Sequence, residues 1–232
     1  MNNPKIIVAL DYDNQQDVSN LVQQLDPNLC RLKIGKELFT ACGPDCVKHV
    51  QDLGFDVFLD LKFHDIPATV AKACTSAANL GVWMLNVHAL GGSDMLNAAR
   101  TAIDESNNSP LLIAVTILTS FDQRQLNEVG LNLALDKQVM CLAELSHSVG
   151  LDGVVCSARE AKFLRAKINQ DFLLVTPGIR PDGAQQNDQK RIMTPEKALE
   201  SGANYLVIGR PITQAIDPLG TLKAIYSQIS NM

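Results

Sequence analysis

Short apolar, β-branched runs alternate along the whole chain with longer stretches in which apolar residues return every three or four positions. The short runs fit strands of a parallel sheet buried on both faces, and the longer stretches fit amphipathic helices packed over it. Eight runs stand out as strands: Lys5 to Asp11, Cys30 to Gly35, Asp56 to Phe63, Met84 to Ala89, Leu111 to Leu118, Gly153 to Ser157, Phe172 to Ile179 and Tyr205 to Arg210. Between them the periodicity predicts helices over Gln16 to Leu25, Pro44 to Leu53, Ala68 to Asn79, Asp94 to Glu105, Asp136 to Val149, Ala158 to Lys167 and Thr194 to Ser201. Gly54, Gly81, Gly150 and Gly202 follow several of these within a few residues, where a left-handed residue closes a last helical turn. One unit recurs about every 29 residues, which fits eight βα units into the length of one barrel. The fold class expected is therefore α/β, an eight-stranded parallel (β/α)8 or TIM barrel. A doubly wound open sheet shares the alternation, but the G-x-G-x-x-G fingerprint after its first strand is missing.

With 232 residues, 46% of them hydrophobic and 19% charged, the chain can bury one substantial core and offers no linker-like tract. A single domain over residues 1–232 is the expectation. A net charge of −5 and a pI near 5.3 argue against nucleic acid or an anionic membrane as partner, because both reward a basic surface. The apolar run that follows Met1 to Lys5 ends at Asp11, too short and wrongly flanked for a secretory signal, so the mature protein is expected to start at Met1. Ala73 to Ser93 lacks charge, but Thr75, Ser76, Asn79, Asn86 and His88 speak against a membrane span. Six cysteines form no CxxC pair and read as reduced, buried thiols of a cytoplasmic protein. Cys42 and Cys46, spaced i,i+4, read as core fillers, since no Cys/His partner completes a metal set.

Charge inside a doubly buried strand is costly unless it sits at the end where a site is built. Here Asp11, Lys33, Asp60, Lys62, Asn86, His88, Thr119, Ser120, Ser157, Arg180 and Arg210 gather at or after the C-terminal strand ends, the rim that carries the site in barrel enzymes. The segment DLKFHDIP at 60 to 67 is the most informative. Strand alternation sends Asp60 and Lys62 to one face and Leu61 and Phe63 to the other. A plain ion pair at a sheet rim is the bland alternative; the apolar surroundings and the nearby Lys33 weigh against it. PGIRP at 177 to 181 and IGRPI at 208 to 212 follow the seventh and eighth strands, where such barrels often hold phosphate on backbone N–H groups and an arginine. Either alone would read as a turn; together they favour phosphate. The polar stretch from Arg180 to Met193 is expected to be a lid. His64 alternates away from Lys62 and is not expected to be catalytic; His88 reads equally as pocket lining or as a structural hydrogen-bonding group, and Trp83 as core.

These residues resemble the orotidine 5'-monophosphate decarboxylase family in its bacterial short form. The resemblance covers essentially the whole chain. It rests on VALD at 8 to 11, KIG at 33 to 35, DLKFHDIP at 60 to 67, LTS at 118 to 120, PGIRP at 177 to 181, DQKR at 188 to 191 and IGRPI at 208 to 212. It implies decarboxylation of orotidine 5'-monophosphate to uridine 5'-monophosphate in the last step of pyrimidine synthesis, with neither metal nor organic cofactor. It implies that Lys62 protonates the ring carbanion while Asp60, Asp65 and Lys33 complete a charged array. Asp11, Lys33 and Thr69 are implied near the ribose, Thr119 at the pyrimidine, Gln189, Gly209 and Arg210 at the phosphate, and Arg180 on the phosphate-side loop. It also implies a homodimer in which Asp65 and Thr69 reach the partner's pocket. Two rivals are a magnesium-dependent sugar-phosphate decarboxylase or aldolase of the same superfamily and a phosphate-binding barrel without catalysis. The LTS and DQKR segments favour the nucleotide over the first, and the full set of charged residues favours an enzyme over the second.

Overall fold

The alternating pattern is realised as a closed parallel barrel whose eight strands neighbour one another in chain order, the last pairing back onto the first. This computed structural model describes residues 3–181 and 192–230. Its elements are β1 (Ile6–Leu10), α1 (Gln15–Val22), β2 (Cys30–Gly35), α2 (Lys36–Cys42), α3 (Asp45–Asp52), β3 (Val57–Phe63), α4 (Pro67–Asn79), β4 (Met84–His88), a 3-10 turn (Ala89–Gly91) and α5 (Gly92–Asp104). There follow β5 (Leu111–Val115), α6 (Gln123–Glu128), α7 (Leu135–Ser148), β6 (Gly153–Val155), α8 (Ala158–Arg165), β7 (Leu173–Thr176), α9 (Pro195–Glu200), β8 (Tyr205–Ile208), α10 (Arg210–Thr213) and α11 (Pro218–Ile229).

Strand residues divide between two apolar layers. Ile7, Ala9, Phe58, Met84, Ile113, Val175, Tyr205 and Val207 meet inside the barrel, while Ile6, Val8, Leu10, Leu32, Leu59, Leu85 and Ile208 meet the helices. Because both faces are buried, the strands had to be continuously apolar, and each polar exception needs a partner. Gly153 in β6 lies close against β7: a Cβ there would lie 2.3 Å from the Leu173 carbonyl oxygen.

The N-terminal end of the barrel is closed by arginines that use their donors on backbone and acids. Arg31, 6% exposed, gives Nε to Asp56 at 3.0 Å and Nη1 to the Pro4 carbonyl at 2.6 Å and to Asn3 at 3.0 Å. Its guanidinium lies 4.0 Å from the Trp83 ring centre, and Trp83 meets Tyr205 edge-on at 5.1 Å. Arg165 bonds the Phe172 and Gly202 carbonyls and the Asn204 side chain, tying the start of β7 to the turn before β8. Arg100 pairs with Asp152, whose carboxylate also accepts the Leu112 N–H at the start of β5.

The predicted C-terminal ends were too long by two or more residues in four strands, β5, β6, β7 and β8. β5 stops at Val115 because Thr116 turns its hydroxyl onto the Val155 carbonyl; β7 stops at Thr176 because Pro177 has no N–H and Gly178 takes φ +79°; β8 stops where Gly209 leaves extended geometry and α10 begins. Ser157 starts α8 as its N-cap rather than ending β6, its N–H received by Glu160 at 2.8 Å. Helices α2, α6, α10 and α11 had not been predicted. The cysteines are all free, but only Cys30, Cys46, Cys74 and Cys156 are buried; Cys42 is half-buried and Cys141 exposed, which corrects the expectation of six buried thiols. Among the described residues no helix is long and apolar enough to cross a membrane.

Arg31→Ala should lower stability by about 2–4 kcal/mol, since it leaves a cavity beneath Trp83 and an unsatisfied Pro4 carbonyl. Turnover by the folded fraction should not change, because the lesion lies at the end of the barrel opposite the charged rim. A denaturation midpoint equal to wild type would refute this account.

Candidate active site

The site is built on an irregularity in the sheet. Leu59 of β3 pairs with Leu85 of β4, yet the next pair is Phe63 with Val87, so three residues of β3 stand opposite the single Asn86. Lys62, within this bulge, has φ +55°, one of two non-glycine residues with positive φ among those described. For an L-residue this left-handed conformation costs about 1–2 kcal/mol. Asn86, fully buried, meets the irregularity with its amide: Oδ1 accepts the Lys62 N–H at 2.8 Å and Nδ2 donates to Asp60 Oδ1 at 2.6 Å.

Asp60 is the hub of a charged array. Its Oδ1 lies 2.7 Å from Lys62 Nζ and its Oδ2 3.1 Å from Lys33 Nζ; Lys33 in turn lies 3.6 Å from Asp11 Oδ1. Burial alone would push the Asp60 carboxyl up, but Lys33 and Lys62, with the hydrogen bonds from Lys62 and Asn86, hold it below its ordinary value. Burial would likewise push the Lys33 ammonium down, and Asp60 with Asp11 outweighs it, so Lys33 holds its proton above the ordinary lysine value. Both groups are therefore ionised near neutrality.

The array opens into a cleft of about 610 Å³ that Thr119, Pro177, Gly178, Arg180, Gly209 and Arg210 also line. Arg180 is 7% exposed; one Nη donates to the Ile179 carbonyl at 2.9 Å, while its buried Nε has no hydrogen-bond partner among the described residues. Burial, and then the charge of Arg210, pushes the Arg180 guanidinium down from its ordinary value. The two guanidinium groups concentrate positive charge at the ends of β7 and β8, a field that favours an anion.

Of the residues singled out in the sequence, Asp11, Lys33, Asp60, Lys62, Thr119, Arg180, Gly209 and Arg210 line this one cleft. Asp65 and Thr69 do not: both are exposed, and Asp65 accepts the Ile66 N–H beside it. Gln189 and most of the proposed lid lie outside the described residues. His64 is exposed with its ring 5.3 Å from that of His88. His88 has a buried Nδ1 without a partner among the described residues, and burial, then the charges of His64, Lys36 and Lys62, lowers it from 6.5 to about 4. The sequence reading gave Asn86 no role and did not find Tyr12, Glu37 or Gln214, which also line the cleft. The signal for Asn86 was a lone amide inside an apolar run.

The family model described as Orotidine 5'-phosphate decarboxylase / HUMPS family matches residues 4–225. The chain belongs to this family. An orotidine 5'-phosphate decarboxylase of Nitrosococcus oceani is 57% identical over 232 residues, with all of both chains covered. One of Vibrio atlanticus is 59% identical over 231 residues, covering 99% of this chain and all of the relative. Among solved structures, the orotidine 5'-phosphate decarboxylase of Lactobacillus acidophilus superposes with a TM-score of 0.87 at 39% identity, over 97% of this chain and 99% of that one. The decarboxylase family thus has the barrel that the apolar pattern predicts.

The site also sets an acid limit to stability. His88 resists protonation in the folded chain down to about pH 4, whereas in the unfolded chain it takes a proton near 6.5. Between those values the unfolded state binds more protons, so the contribution of the neutral ring is complete above about pH 6.5 and is lost as pH falls towards 4. Asp60, lowered below the ordinary 3.8, adds stability that is present above 3.8 and lost as pH falls through its folded value. His88→Gln should remove the first decline and keep the second. Urea midpoints from pH 7 to below 3.8 check this, and an unaltered decline between 6.5 and 4 in the variant would refute it.

Proposed function

We propose that this chain converts orotidine 5'-monophosphate to uridine 5'-monophosphate and carbon dioxide, the closing step of de novo pyrimidine synthesis, as the names of its relatives suggest. One observation carries the proposal at the level of residues: Asp60 stands between the ammonium groups of Lys33 and Lys62 in the same cleft that Arg180 and Arg210 line. The bond between the pyrimidine ring and its carboxylate breaks, carbon dioxide leaves, and the electron pair stays on ring carbon. Lys62 Nζ, fixed at 2.7 Å from Asp60, opposes that charge as it develops and gives its proton to the carbon, then recovers one from water. Asp60, held ionised, is not the proton source. Stabilisation of the developing charge is the main effect; the Asp60 carboxylate against the substrate carboxylate is secondary.

The phosphate goes to Arg210, Gly209 and Gln189, with Arg180 on the same side; the ribose goes to Asp11, Lys33 and Thr69, and the pyrimidine to Thr119. Neither metal nor organic cofactor takes part in this scheme, which treats residues 1–232 as one domain working in the cytoplasm. We further propose a homodimer with shared sites: Asp65 and Thr69 are exposed and absent from their own cleft, and Ile66 beside them is an apolar side chain 67% exposed. Loss of orotidine 5'-monophosphate absorbance with purified protein in the presence of chelator is the direct test. No turnover under those conditions would reject the proposal.

Lys62→Ala should abolish turnover in a folded protein. Removing one preorganised electrostatic group typically costs ~2.7–4 kcal/mol, and here the proton donor goes as well. Near wild-type turnover in the folded variant would reject the mechanism.

The shared site has its own test. Equal amounts of inactive Lys62→Ala and Asp65→Ala protein are mixed under conditions that exchange subunits. If Asp65 acts across the interface, each mixed dimer holds one doubly mutated and one intact site. Random exchange makes half the dimers mixed, so about a quarter of wild-type activity should return. If Asp65 acts at home, every site keeps a lesion; no recovery after demonstrated exchange would rule out sharing.

A further inference from the structure

We infer that Asn86 is a positioning residue that sets the place of the proton-donating Lys62 by holding its backbone and its counter-ion with one amide. The inference rests on the decarboxylase reading and deepens it. The irregular pairing of β3 and β4 leaves the backbone N–H of Lys62 without a ladder partner, and Asn86 Oδ1 takes that N–H at 2.8 Å. The same amide gives Nδ2 to Asp60 Oδ1 at 2.6 Å, the oxygen that Lys62 Nζ also reaches at 2.7 Å. A backbone N–H only donates and a carboxylate only accepts, so both contacts demand the same amide orientation. The amide is fully buried between them.

Both contacts need a group that accepts and donates at once. Aspartate would keep the acceptor for Lys62 N–H but set a second carboxylate against Asp60; leucine or alanine would strand the N–H of a left-handed residue. Asn86 thus acts on the reaction through Lys62 and Asp60. The charged groups around it are Asp60 and Lys62 of β3, Lys33 of β2 and Asp11 after β1; the titratable but neutral His88 lies on its own strand.

The test compares Asn86→Ala and Asn86→Asp with wild type. In Asn86→Ala, kcat should fall on the order of 100-fold, the size of loss that an ångström of misplacement causes. The Kd of uridine 5'-monophosphate, which lacks the reacting carboxylate, should stay within about threefold of wild type, because phosphate and ribose contacts are untouched. Loss of the amide donor also removes one group that keeps Asp60 ionised, so the acid limb of the kcat profile should move to higher pH. A kcat within about threefold of wild type, or a parallel loss of kcat and product affinity, would overturn the inference. Should the alanine variant not accumulate folded, Asn86→Asp decides: a reduced kcat with a raised acid limb supports the role, and a wild-type profile overturns it. Absence of turnover in the wild-type control would instead reject the decarboxylase reading itself.

Discussion

A carboxylate that is 8% exposed stays ionised only where its surroundings replace the water it has lost, and the open end of this barrel is arranged around that demand. Asp60 meets it with two ammonium groups and an amide. Lys33 is itself 8% exposed and needs Asp60 and Asp11 in return, so the charges are held in place by one another rather than by separate scaffolds. Such an array has little freedom to reorganise. That rigidity is what electrostatic stabilisation of a transition state requires, because dipoles and charges already aimed at the reacting carbon need not turn at the moment of reaction.

Arg31 and Arg165 at the N-terminal end of the barrel are bonded more fully than Arg180 at the other end. At the N-terminal end Arg31 bonds Asp56, Asn3 and the Pro4 carbonyl and lies over Trp83, while Arg165 closes onto three carbonyls and an amide. At the C-terminal end the buried Nε–H of Arg180 has no partner among the described residues, and burial and Arg210 push the guanidinium down from its ordinary value. The bonds of Arg31 and Arg165 lower the energy of the fold. At Arg180 and Arg210 the positive charge is less fully offset, and a field of that sign along the cleft favours an anion.

The eight strands were legible because their burial on both faces leaves a continuous apolar signature, and the charged rim was legible because charge in such strands is tolerated only towards their ends, where Arg31 also lies. The final helix was legible but overlooked: Asp217 caps it, Pro218 opens it, and Leu222, Ile225 and Ile229 recur at helical spacing. Strand ends were overcalled where hydroxyl and proline residues continue an apolar run, since composition does not report when a ladder loses its partner. The bulge in β3 was not legible. Regular alternation put Asp60 and Lys62 on one face, and the two do meet, yet through a register shift and a left-handed residue that nothing in DLKFHDIP announces. The exposure of Asp65 and Thr69 follows from the path of the chain after Phe63, which depends on that same shift.

The bulge also separates the two lysines by their access to water. Lys33 lies in regular β2 with its side chain 10% exposed, whereas Lys62, carried outward by the extra residues of β3, is 26% exposed. A fixed cation gains from being dry, because its field is least screened there. A proton donor has the further need to be recharged after each turnover, which requires a route to solvent. On the proposed mechanism, one ammonium in the regular ladder and the other on the bulge would satisfy both needs with the same residue type, two residues from a shared carboxylate in one case and one strand away in the other. The backbone strain at Lys62 would then be tied to a chemical requirement that regular strand geometry does not meet.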